Sequence, residues 1–151
     1  MLQHYIKGYE EMSDEHPVLS ICMTCRDGRE AETGARGGSR LAAAIYAQIS
    51  EQTATSVTLR GVKCMSQCKR PCIVSLCQVG KFTYVFGDLD PLEFAHPEAL
   101  IELLGRYSKA PEGFLARMDR PELLRPNILG RFPPIRSASP LVSRLDPVAA
   151  E

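Results

Sequence analysis

The chain has 151 residues, enough for one domain with a real core and short for two. Eighteen basic residues balance 18 acidic ones, and a formal charge of zero excludes the global field that draws proteins to nucleic acid or an anionic bilayer. No run of about 18 apolar residues occurs and the polar start from Met1 to His16 does not read as a signal peptide, so the expectation is a cytoplasmic protein with no membrane partner.

Residues 1–16 read as an N-terminal segment. The apolar run from Pro17 to Cys22 then predicts a buried strand that ends at a cysteine. Residues 26–38 are charged and glycine-rich, a loop by composition, with Ser39 placed to cap a helix. Leu41, Ala44, Ile45, Gln48 and Ile49 recur at helical spacing and predict a helix from Arg40 to about Gln52. The β-branched stretch from Ser56 to Cys64 predicts a second strand, also ending at a cysteine. A strand, helix and strand of these lengths favour a right-handed βαβ crossover with parallel strands.

Two extended runs, Cys72 to Val79 and Phe82 to Phe86, flank Gly80 and Lys81 and predict a hairpin. A further helix is expected near Pro97, with Leu100, Leu103, Leu104 and Tyr107 on one stripe. The expected domain is therefore 17–110. Residues 111–151 hold seven of the 11 prolines, six arginines and no lysine, which predicts an extended tail without sheet or long helix. Its arginines could grip an acidic partner or a pyrophosphate-bearing ligand, bidentately where geometry permits. The blander reading lays the tail across its own domain, with Leu123, Leu124, Ile128, Leu129 and Phe132 filling a groove.

All six cysteines, at 22, 25, 64, 68, 72 and 77, fall in the first half of the chain. In a reducing compartment they point to metal binding or redox chemistry rather than disulfides. The pairs Cys22-Met-Thr-Cys25 and Cys64-Met-Ser-Gln-Cys68 stand at the ends of the two expected parallel strands, which delivers both to one sheet edge. Four thiolates there suit iron-sulfur or zinc, and Arg26, Lys63, Lys69 and Arg70 flank them. Two cysteines five apart on a strand face opposite ways, so Cys72 and Cys77 cannot both join. Cys77 reads as a small apolar residue, and Cys72 is a reserve ligand.

The stretch Val62-Lys-Cys64-Met-Ser-Gln-Cys68-Lys-Arg-Pro71, continued by Phe82-Thr-Tyr84, resembles the thioredoxin-like 2Fe-2S ferredoxins. More closely, from roughly Val18 to Pro134, the chain is similar to an uncharacterised family of small predicted metal-binding proteins with an Arg-Pro-rich tail. The resemblance implies a thioredoxin-like ferredoxin fold of the α/β class: a βαβ unit, a β-hairpin and a C-terminal helix, followed by the proline-rich tail. It implies a 2Fe-2S cluster on Cys22, Cys25, Cys64 and Cys68, one-electron transfer, a cobalamin-related biosynthetic setting, and pairing of two chains as an option. The first pair is closer together than such ferredoxins usually have it. An acidic redox partner would dock near Lys69 and Arg70.

A zinc site on the same four cysteines is the first alternative; the three residues inside the second pair and the βαβ setting favour iron-sulfur. A thiol-disulfide oxidoreductase using Cys22 and Cys25 is the second. It is disfavoured because the next helix is predicted about a dozen residues later, too far along the chain to activate a cysteine. His4, His16 and His96 read as surface or capping residues. Gly34, Gly37 and Gly38 lack the lysine and spacing of a nucleotide loop.

Overall fold

The computed structural model describes residues 15–51, 56–92 and 95–146. Five strands form one mixed sheet in the order β2-β1-β3-β4-β5. Strand β1 (Val18–Cys22) is buried along its whole length, as its uninterrupted apolar sequence requires of a strand with neighbours on both sides. It pairs in parallel with β2 (Thr58–Val62), in a register that ends at Cys22 opposite Val62. On its other side β1 runs antiparallel to β3 (Val74–Cys77), which forms a hairpin with β4 (Thr83–Phe86). The turn uses Gly80 at φ 75°, and the Lys81 amide closes it onto the Gln78 carbonyl.

Helix α1 (Glu30–Thr33) is a single turn inside the stretch expected to be loop. Helix α2 (Gly37–Glu51) carries the apolar stripe and packs on β1, with Leu41 and Ile45 fully buried. Helix α3 (Ala95–Lys109) packs against α2 and buries Leu100, Leu103, Leu104 and Tyr107. The Tyr107 hydroxyl donates to the Phe82 carbonyl at 2.6 Å and ties α3 to the start of β4. His96 lies in the first turn of α3, where its Nδ1 accepts the Asp90 amide at 2.8 Å and ties the preceding loop to the helix. Among the described residues, no helix is long and apolar enough to cross a membrane.

The strand order, with β1 and β2 parallel and β3 and β4 antiparallel beside them, is the thioredoxin-like α/β arrangement implied by the resemblance. The expectation that residues after 110 hold no sheet is corrected. After three 3-10 turns, β5 (Ile128–Phe132) pairs antiparallel with β4 and forms the edge of the sheet. Its five residues lie between Pro126 and Pro133, and an edge strand tolerates prolines at its limits, so composition averaged over the tail concealed it. Leu124 is fully buried, and Asn127 donates its side-chain amide to the carbonyls of Gly87 and Asp88. Leu123 and Phe132, by contrast, are exposed. Leu124→Ala should therefore cost about 2–4 kcal/mol in urea denaturation; a change within 0.5 kcal/mol, roughly that of a surface substitution, would mean the segment is not part of the cooperative unit.

Candidate metal or redox centre

Because β1 and β2 are parallel, both cysteine loops leave the sheet at the same edge. They are stitched together there. The Met23 amide donates to the Val62 carbonyl at 2.8 Å, and the Thr24 hydroxyl donates to the Lys63 carbonyl. In the second loop the Ser66 amide lies 3.4 Å from the Cys64 sulfur, as donor.

The first loop also rests on the start of α2. The Gly38 amide donates to the Cys25 carbonyl at 3.1 Å, the Ser39 hydroxyl to the Met23 carbonyl at 3.2 Å, and Arg36 to the Thr24 carbonyl at 3.1 Å. Ser39 is thus not the expected cap of the helix; it lies within α2 and spends its hydroxyl on the cysteine loop. Gly38 is required for steric reasons, since a Cβ there would stand 1.9 Å from the Cys22 carbonyl oxygen. The helix expected to be remote from Cys22 is therefore adjacent to it: residues 26–36 loop out through α1 and return, so separation along the chain does not translate into distance.

Cys22, Cys25 and Cys68 border one cavity of about 320 Å³, together with Arg26, Arg36 and Ser66. Cys22 and Cys25 are buried, Cys68 is exposed, and Cys64 is exposed and does not border the cavity. Among the described residues, no three of His, Cys, Asp and Glu close around a single point. Cys72 is completely buried behind the first loop, where its sulfur would lie 3.0 Å from a Cβ on Gly37. Cys77 pairs with Val18 at the opposite end of β1 from Cys22, which keeps it out of the centre.

The thiols are not equivalent. Burial raises the pKa of Cys22, but hydrogen bonds from the Thr24 backbone, the Cys25 thiol and the Met65 amide outweigh it, so the net shift is downward. Burial, reinforced by the Cys22 hydrogen bond, pushes Cys25 up to about 11, and burial pushes Cys72 up to about 12.

Asp27, two residues past Cys25, anchors this loop. Its carboxylate, 8 % exposed, accepts bonds from Arg40 on α2 and from Arg29, which also pairs with Asp90. Burial would raise its pKa, but the bonds from Arg40, and those of Glu30 and Arg29, hold it well below the usual carboxylate range. A depressed folded pKa means stability that is present above the unfolded value of about 4 and is lost as pH falls through the folded value. Asp27→Asn should thus lower the urea midpoint at pH 7 and flatten its decline below about pH 4. An unaltered acid slope would remove Asp27 as the anchor. Sequence reasoning missed this pairing and also Arg36, because neither follows from local spacing.

These features define a thioredoxin-like α/β protein with a cysteine-lined cavity where its two parallel strands end. The chain belongs to the family described as protein of unknown function (DUF1636), whose model matches residues 19–134. Among solved structures it is similar to a thioredoxin-like 2Fe-2S ferredoxin from Aquifex aeolicus, at 16% identity and a TM-score of 0.49, covering 81% of this chain and 98% of that one. No curated protein matches it.

Proposed function

We propose that the chain is a 2Fe-2S one-electron carrier, with the cluster held by Cys22, Cys25, Cys64 and Cys68. The observation that carries this reading is the junction of the two cysteine loops, close enough for the Met23 amide to bond the Val62 carbonyl at 2.8 Å and the Thr24 hydroxyl to bond the Lys63 carbonyl. The donor set fits such a group: four soft sulfurs, three of them on one cavity, with the Ser66 amide already directed at Cys64. A cluster so held supplies reversible one-electron chemistry. The chain's part is to shield and balance it. Arg26, Arg36 and the positive end of α2 offset the charge of the thiolates, while the exposed Cys64 and Cys68 leave one side open to a partner.

Protein purified without oxygen should be red-brown, contain two irons and two sulfides in the chemistry proposed, and bleach with dithionite. Colourless protein with one zinc per chain would replace the cluster with a structural or delivery site for that metal.

A thiol-disulfide role is the second reading, favoured by one specific observation: α2 begins against the first loop, with the Cys22 pKa lowered and that of Cys25 raised. Cys22 and Cys25 would then give up two electrons and two protons to a disulfide substrate and become a disulfide themselves. Metal-free, colourless protein that reduces a dithiol-accepting disulfide would select this reading.

The proposed partner is an acidic redox protein docking near Lys69 and Arg70. Arg70 already pairs with Asp88 at 2.5 Å, so its charge is partly committed. Lys69→Ala should slow transfer with an acidic partner more than Arg70→Ala does, and more at low than at high salt. Rates independent of salt would remove the electrostatic docking.

A further inference from the structure

The tail places positive charge where the described residues offer no negative charge to meet it. Arg120 is 6 % exposed, and its Nε donates to the Leu115 carbonyl at 3.3 Å. Arg131, on β5, donates through Nη1 to that same oxygen, also at 3.3 Å, and stacks its guanidinium 4.4 Å from the centre of the Phe114 ring. Two cations therefore share one neutral acceptor, and the exposed Arg117 opens the turn that ends at Arg120, whose amide donates to the Arg117 carbonyl at 3.4 Å. Among the described residues, none of these three arginines has a carboxylate within 4.0 Å.

Tyr84 cannot supply the missing charge. Its hydroxyl donates to Leu115 oxygen at 3.4 Å and accepts the Leu115 amide at 2.7 Å, and burial pushes its pKa up, so it stays neutral near pH 7. A buried charge without a counter-ion is unfavourable. Each guanidinium has five N–H donors in a planar fork, of which the Leu115 bond takes one. From this arrangement we infer that Arg117, Arg120 and Arg131 form an oxyanion site, with Arg120 as its floor, for a phosphate group. A doubly charged phosphate neutralises three arginines better than a single carboxylate and matches the fork. The site stands on β5 and the turns before it, and it does not depend on what the cysteines hold.

The full chain is titrated calorimetrically with inorganic phosphate, pyrophosphate and acetate, each against sodium chloride of equal ionic strength. Saturable binding of phosphate or pyrophosphate, with acetate weaker, is expected. Tighter binding of pyrophosphate points to a phosphate ester or anhydride as the source, equal binding to free phosphate. Arg131→Gln and Arg117→Gln should each weaken the binding roughly tenfold. Arg117 is exposed, so its variant remains informative if Arg131→Gln fails to fold. The absence of saturable binding to the wild-type chain overturns the inference, as does binding that both variants retain in full; the arginines would then serve only to hold the tail's backbone.

Discussion

Gly38→Ala is expected to destabilise the protein by about 3 kcal/mol or more, at the upper end for an overpacked site. The added methyl would meet the Cys22 carbonyl oxygen at 1.9 Å, and that oxygen is main chain at the end of a fully buried strand, so it cannot move without shifting β1 or α2. Gly105→Ala on α3 is the matched control: nothing lies within 4 Å of its Cβ position, and the substitution should stabilise by about 0.5–1 kcal/mol through helix propensity alone. Urea midpoints of the two variants should therefore move in opposite directions. A Gly38→Ala midpoint equal to that of the parent would mean that α2 does not rest on the cysteine loop. A folded remnant of this variant should also bind metal poorly, since the same displacement pulls Cys22 away from the second cysteine loop.

The second large effect concerns the cysteines. Cys22→Ser and Cys68→Ser should each reduce bound iron and visible absorption roughly tenfold or more, because each removes a sulfur from the proposed centre. Cys77→Ser, at the other end of β1, should leave both within error of the parent. Cys64→Ser is the informative intermediate. If its loss is as large as that of Cys22, the exposed thiol turns inward on loading; if Cys72→Ser takes its place in the ranking, the ligand set is Cys22, Cys25, Cys68 and Cys72. Iron retained alike by Cys22→Ser, Cys64→Ser, Cys68→Ser and Cys72→Ser would refute the site.

What could be read from the residues alone followed from local pattern. Apolar runs ending at Cys22 and Cys64, the stripe through Leu41 and Ile45, and the hairpin around Gly80 depend on periodicity and turn chemistry, and these are properties of adjacent residues. Together they fix the parallel pair and hence the meeting of the two loops. The features that escaped are long-range or masked by their surroundings. Strand β5 is five residues in a proline-rich stretch; Asp27 meets Arg40 across 13 positions and Arg29 meets Asp90 across 61. The return of α2 to Cys22 depends on how residues 26–36 curl, which helical spacing does not report. Cys72 precedes β3 instead of lying on it, so strand alternation does not decide its place; the fold encloses it beside Gly37.

The sheet's last strand also comes last in the order of synthesis. Until Ile128–Phe132 has left the ribosome, the outer edge of β4 has no partner, although its neighbours β1 to β3 can already be assembled. An unpaired edge of this kind invites association with other chains. The nascent protein therefore passes through a stage in which nearly the whole cysteine-bearing half exists beside a sticky flank, and a chain terminated before residue 128 would be held at that stage permanently.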